Sequence, residues 1–143
     1  MKAQSLLGAV LLPVLVSCGG GGGAANDASV AKAKQQSPKG AQVYQRECAG
    51  CHGNSGQGLG GTPEVLGASA LPLKGVGGDH GPFRNAQDVF DYVKREMPLP
   101  KSKAGSLSDE DYWAVVEYML AGSGRDVGPG LTAESAASVV VNK

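Results

Sequence analysis

Cys48-Ala49-Gly50-Cys51-His52 is the stretch on which the reading of this chain turns. Two thiols three positions apart, with an imidazole beside the second, make the C-x-x-C-H attachment sequence of c-type haem. The spacing has a physical reason. The two thiols add to the two vinyl groups of the ring, and the adjacent imidazole reaches the iron along its axis. Ala49 and Gly50 leave room for the ring to lie close to the backbone. Paired cysteines serve two other chemistries. A thioredoxin-type disulfide needs a βαβ surround, and no strand pattern flanks Cys48. A structural zinc needs about four ligands, and beyond these three only His80 and carboxylates are on offer.

Downstream of His52 the chain turns glycine-rich, with 11 Gly in the 32 residues 50–81. That density opposes helix and long strand alike and predicts a loop wrapped around something. Gly56-Gln57-Gly58-Leu59-Gly60-Gly61 matches G-x-G-x-x-G, but the dinucleotide fingerprint needs a strand before it and a helix after it. Helical patterning flanks the loop. Upstream, Val43 and Tyr44 mark one side of a short helix beginning near Lys39. Downstream, Asn85 caps a helix whose stripe is Val89, Phe90 and Val93, and Pro98 and Pro100 end it. Ser108-Asp109-Glu110-Asp111 has the form of a capping box, with Leu107 placed to staple onto Tyr112. The helix that follows stops at Gly122 and Gly124. About three short helices and no alternating strand runs predict an all-α fold.

The whole chain has 143 residues, with 23 Gly and 8 Pro but only 7 aromatic rings. One domain fits that length, and a core so poor in rings is thin unless a cofactor fills it. Lys plus Arg and Asp plus Glu number 13 each, so no basic excess points to nucleic acid. The N-terminus is a short basic and apolar segment of the secretory kind. Its exit, Leu15-Val16-Ser17-Cys18, resembles the lipobox of bacterial lipoproteins, which implies a signal over residues 1–17 and lipid attachment at Cys18. Residues 18–38 open with a five-glycine run and carry Val30 as their one sizeable apolar residue, and they read as a flexible tether. The domain is then expected over 39–124 and an extended tail over 125–143, with Thr132 placed to cap a turn.

From about Lys39 to Gly124 the sequence resembles the class I cytochromes c. Gly40, Tyr44 and Cys48 keep a four-residue rhythm. In that family a small residue and an aromatic at these places let the first helix cross the last, where Val115 and Tyr118 look like the matching positions. The resemblance implies one covalent haem c held by Cys48 and Cys51, with His52 as proximal iron ligand. It also implies that Met97, ahead of Pro98, is the axial methionine, and that the Pro63 carbonyl holds the free N–H of the proximal imidazole. Met119 reads as core packing and His80 as a loop residue, each an alternative to Met97 as sixth ligand. Lys74, Lys94, Arg95, Lys101 and Lys103 fit either a basic collar for acidic partners or a scattered solvated surface.

The function implied is single-electron transfer outside the cytoplasm, at a membrane reached through Cys18, between redox protein partners. The chain is expected to be a monomer and not itself a catalyst. The stretch from Val89 to Met119 is also similar to cytochrome subunits of sulfite dehydrogenases, so the rival is an electron-accepting subunit of a dehydrogenase. A haem ligand sensor or peroxidase would need an open iron site.

Overall fold

The computed structural model describes residues 23–73, 82–128 and 130–143. Cys18, Lys74 and His80 lie outside them. The described residues form six α-helices: α1 (Gly23–Gln36), α2 (Pro38–Glu47), α3 (Ala49–His52), α4 (Ala86–Glu96), α5 (Asp109–Gly122) and α6 (Ala133–Ala136). They contain no strand, only an isolated antiparallel bridge between Asn85 and Val140. The all-α expectation therefore holds, with six helices where about three were foreseen. None of the described helices is long and apolar enough to cross a membrane.

The crossing of α2 on α5 organises the core. Pro38 opens α2, where its missing N–H costs nothing. Gly40 then lets the two backbones meet, because a Cβ there would lie 2.0 Å from the Ala114 carbonyl oxygen. One turn on, the Tyr44 and Tyr118 rings pack at 5.3 Å between centroids. Both are buried, together with Val43, Val115 and Val116. The Tyr44 hydroxyl donates to the Gly53 carbonyl at 2.8 Å, tying the crossing to the end of α3.

Helix α4 starts on a full capping box. The Asn85 side chain accepts from the Asp88 N–H, and the Asp88 carboxylate accepts from the Asn85 N–H. Its apolar side packs on α5 through Phe90, stacked on Trp113 at 3.7 Å and edge-on to Tyr112 at 6.1 Å. At the start of α5 only half of the expected capping box forms: the Ser108 side chain accepts from the Asp111 N–H. The Asp111 carboxylate faces Lys39 at 3.1 Å and Arg46 at 3.7 Å.

Two expectations are corrected. The tether read over 18–38 is helical from Gly23 to Gln36, and this α1 buries Val30 and Ala33 against the domain. Its composition suggested a chain unable to bury a core. It needs only two small apolar contacts, one turn apart and facing α5, because the rest of its surface stays solvated. The segment 125–143, read as an extended tail, instead contains the short helix α6 and packs on the domain. Thr132 caps α6 as foreseen. Val127, Leu131, Ala136 and Val141 are buried, and Val139 and Val141 hydrogen-bond to the backbone at Ala86 and Arg84.

Candidate functional site

A cavity of about 450 Å³ opens beside α3. Cys48 and Cys51 sit on its wall, neither bonded to the other. Cys48 is partly buried, and that burial, with Glu47 and Cys51 nearby, pushes its thiol up to about 12. It is a neutral thiol in an apolar surround, while Cys51 is exposed at the mouth. His52 closes α3 and is buried, yet it too faces the cavity.

The loop after His52 folds back on it. The Gly58 N–H donates to the His52 carbonyl at 2.8 Å, and Val65 and Leu66 return to the Gly56 carbonyl. Gly58 has φ +79°, and a Cβ there would lie 2.3 Å from the Thr62 carbonyl oxygen, so this tight turn requires glycine. The G-x-G-x-x-G run thus serves a turn, not a strand-to-helix junction. The fold-back sets the Pro63 carbonyl 2.9 Å from His52 Nδ1. With Nδ1 so engaged, Nε2 is the nitrogen left for a metal.

Met97 reaches the same cavity from a separate element, as the residue that caps α4. The Tyr112 hydroxyl donates to the Met97 carbonyl at 2.9 Å and fixes this segment against α5. Leu71, Phe83, Tyr92, Val93 and Met119 supply most of the remaining apolar wall. Met119, read from sequence as core packing, is both buried in the core and part of this wall. Sequence reasoning missed Leu71, Phe83 and Tyr92 as wall residues. The available signal was that Phe83 and Tyr92 fall outside the helix stripes; in the fold their rings meet edge-on at 5.4 Å.

The cavity suits a large flat apolar ring. Thiols, imidazole and thioether converge on a largely hydrocarbon space, with Glu47 and Glu64 its only carboxylate-bearing neighbours among the described residues. Among those residues no group of three or more His, Cys, Asp or Glu side chains converges elsewhere. The cations near Met97 are partly neutralised. Lys94 pairs with Asp109 at 2.6 Å, and Arg95 and Lys101 both pair with Glu96. Glu96 is held below the usual carboxylate range by Lys101 first and Arg95 second.

Comparison with known proteins agrees with this geometry. Residues 35–119 match the family model described as cytochrome C oxidase, cbb3-type, subunit III. Over 86 residues the chain is 38% identical to the thiosulfate dehydrogenase of Stutzerimonas stutzeri (strain A1501), covering 57% of this chain and 25% of that protein. The crystal structure of the sulfane dehydrogenase SoxCD from Paracoccus pantotrophus superposes with a TM-score of 0.56 at 28% identity, covering 73% of this chain and 52% of that one. The chain thus spans about a quarter of the curated relative and about half of the structural one.

Proposed function

The chain belongs to the cytochrome C oxidase, cbb3-type, subunit III family, whose domain carries covalent haem c, and from that premise we propose that it is a membrane-anchored, extracytoplasmic single-electron carrier. The observation that carries this reading is the convergence of Cys48, Cys51, His52 and Met97 on one apolar cavity. When bound, the haem supplies an iron that changes by one electron. The chain's own residues do the rest. Cys48 and Cys51 would hold the ring by thioether bonds, and His52, oriented by the Pro63 carbonyl, and Met97, steadied by Tyr112, would hold its iron. The apolar wall keeps water away and so limits reorganisation on redox change. Donors from both His52 and Met97 would leave the iron no open position, which favours a carrier over a ligand sensor or peroxidase.

Its donor, in this reading, is a dehydrogenase acting on reduced sulfur compounds, and the chain works as the monomeric electron-accepting cytochrome of that system. The similarity to a thiosulfate dehydrogenase and a sulfane dehydrogenase supports this choice over a general respiratory partner.

The anchor is lipidated Cys18. Because α1 begins at Gly23 and packs on the domain through Val30 and Ala33, only Gly19–Gly22 separate the anchor from the first helical residue. That stretch spans at most about 18 Å, so the domain is held close to the membrane. Cys18→Ala is expected to move the protein from the detergent phase to the aqueous phase and to remove the acyl mass increment. Unchanged partitioning would refute the anchor.

The spectrum of the ferric protein tests the ligands. The weak charge-transfer band of a methionine–iron bond is expected in the wild type, lost in Met97→Ala and kept in His80→Ala. The reverse pattern would place His80 on the iron.

A further inference from the structure

Part of the cavity wall is held by the far end of the chain. The Asn142 side-chain amide donates both its N–H groups, to the Leu71 carbonyl at 2.8 Å and to the Phe83 carbonyl at 2.7 Å. Leu71 and Phe83 are 5% and 2% exposed, and both line the cavity. Leu71 also has φ +55°, the one non-glycine residue with positive φ among those described. A branched side chain in that region is strained, and it persists only where its surroundings over-determine it. The neighbouring backbone is pinned too, since Arg125 donates to the Ala70 carbonyl at 2.9 Å. Asn142 itself is fixed by its own N–H and that of Val141, which both reach the Arg84 carbonyl.

We infer that Asn142 is a positioning residue for the haem cavity, holding Leu71 and Phe83 in the places from which they pack on the ring and exclude water. One amide thus joins two segments twelve residues apart in sequence. An amide is suited to this, because its two donors diverge and satisfy two carbonyls beside an apolar wall. The inference rests on the cavity holding haem, and the haem content of the wild type by pyridine haemochrome tests that separately.

The experiment compares full-length, haem-loaded Asn142→Ala with wild type at equal haem content. Three readouts are used: reduction potential, circular dichroism in the Soret region and imidazole affinity of the ferric form. Loss of the clamp is expected to lower the potential through greater solvent contact and to alter the Soret signal. It is also expected to strengthen imidazole binding about fivefold for each net hydrogen bond lost. Asn142→Ser, a milder change that keeps one donor, gives the same test if the alanine variant does not fold. Val140→Ala, at an exposed neighbour, is expected to change none of the three. Wild-type potential, Soret signal and imidazole affinity in the Asn142 variants, with only a lowered melting temperature, would overturn the inference, as would equal shifts in Val140→Ala.

Discussion

His52 and Met97 face one cavity, but the chain secures them in different ways. What orients His52 lies within about a dozen positions of it in sequence, from Tyr44 to Pro63. Cys48 to Pro63 is a single local unit in which a one-turn helix, a glycine turn and one carbonyl at 2.9 Å fix the imidazole. The wall that carries Met97 is assembled from distant pieces. Tyr112 from α5 holds the Met97 carbonyl, Asn142 from the C-terminus holds Leu71 and Phe83, and Met119 fills between them. A local unit forms at little loop-closure cost, whereas a composite wall exists only once the whole domain has folded. The two sides should therefore fail differently.

The largest effect is expected from the local side. Cys48→Ser with Cys51→Ser removes both points of attachment and the ring they retain, so the core loses its largest apolar body. Little folded holoprotein should form, and haem should pass into acid-acetone, whereas the wild type keeps it. Intact haem extracted from the wild type would refute covalent attachment.

On the composite side a smaller, graded loss is expected. Tyr112→Phe deletes one hydrogen bond, to the Met97 carbonyl, and leaves the ring packing. It should cost about 1 kcal/mol in denaturant unfolding and weaken the methionine–iron band without touching haem content. An unchanged band with the same loss of stability would mean that Tyr112 steadies α5 alone.

The smallest effect is expected at the surface beside Met97. Lys101 and Arg95 depress the Glu96 carboxyl, so the ion pair stabilises the fold above the carboxyl's unfolded pKa, about 4.3. That stabilisation is lost as the pH falls through the lower folded value. Glu96→Gln should lower the unfolding midpoint slightly at pH 7 and match the wild type at about pH 2. Because these side chains are solvated, the difference at pH 7 should be small and should shrink with added salt. Pairing with Asp109 and Glu96 offsets only half of the charge of Lys94, Arg95, Lys101 and Lys103, the described members of the basic collar.

Much of the molecule could be read from its letters. The C-x-x-C-H pentapeptide, the Asn85 capping box and the proline stop after Met97 each act over a few residues, where local physics decides. The pairing of His52 with Pro63, eleven positions apart, was legible only through the family resemblance, yet it too is nearly local. What resisted reading were contacts whose energy comes from elsewhere in the chain. Among the described side chains of α1 Val30 and Ala33 are the buried ones, too weak a stripe to distinguish helix from linker without the α5 surface that receives it. The valines at 139–141 have β-prone side chains but no sequence-visible partner, and they pair with Arg84 to Ala86 only because α4 begins there.

The sequence by itself determined that this chain holds haem c through Cys48, Cys51 and His52, because that chemistry is written in five consecutive residues. The tertiary structure alone decided what encloses the ring. Leu71 carries a strained backbone, and Asn142 lies 71 positions away, so neither announces the other. Their meeting follows from the burial of Val127, Leu131, Ala136 and Val141, which brings the C-terminus back to the cavity wall.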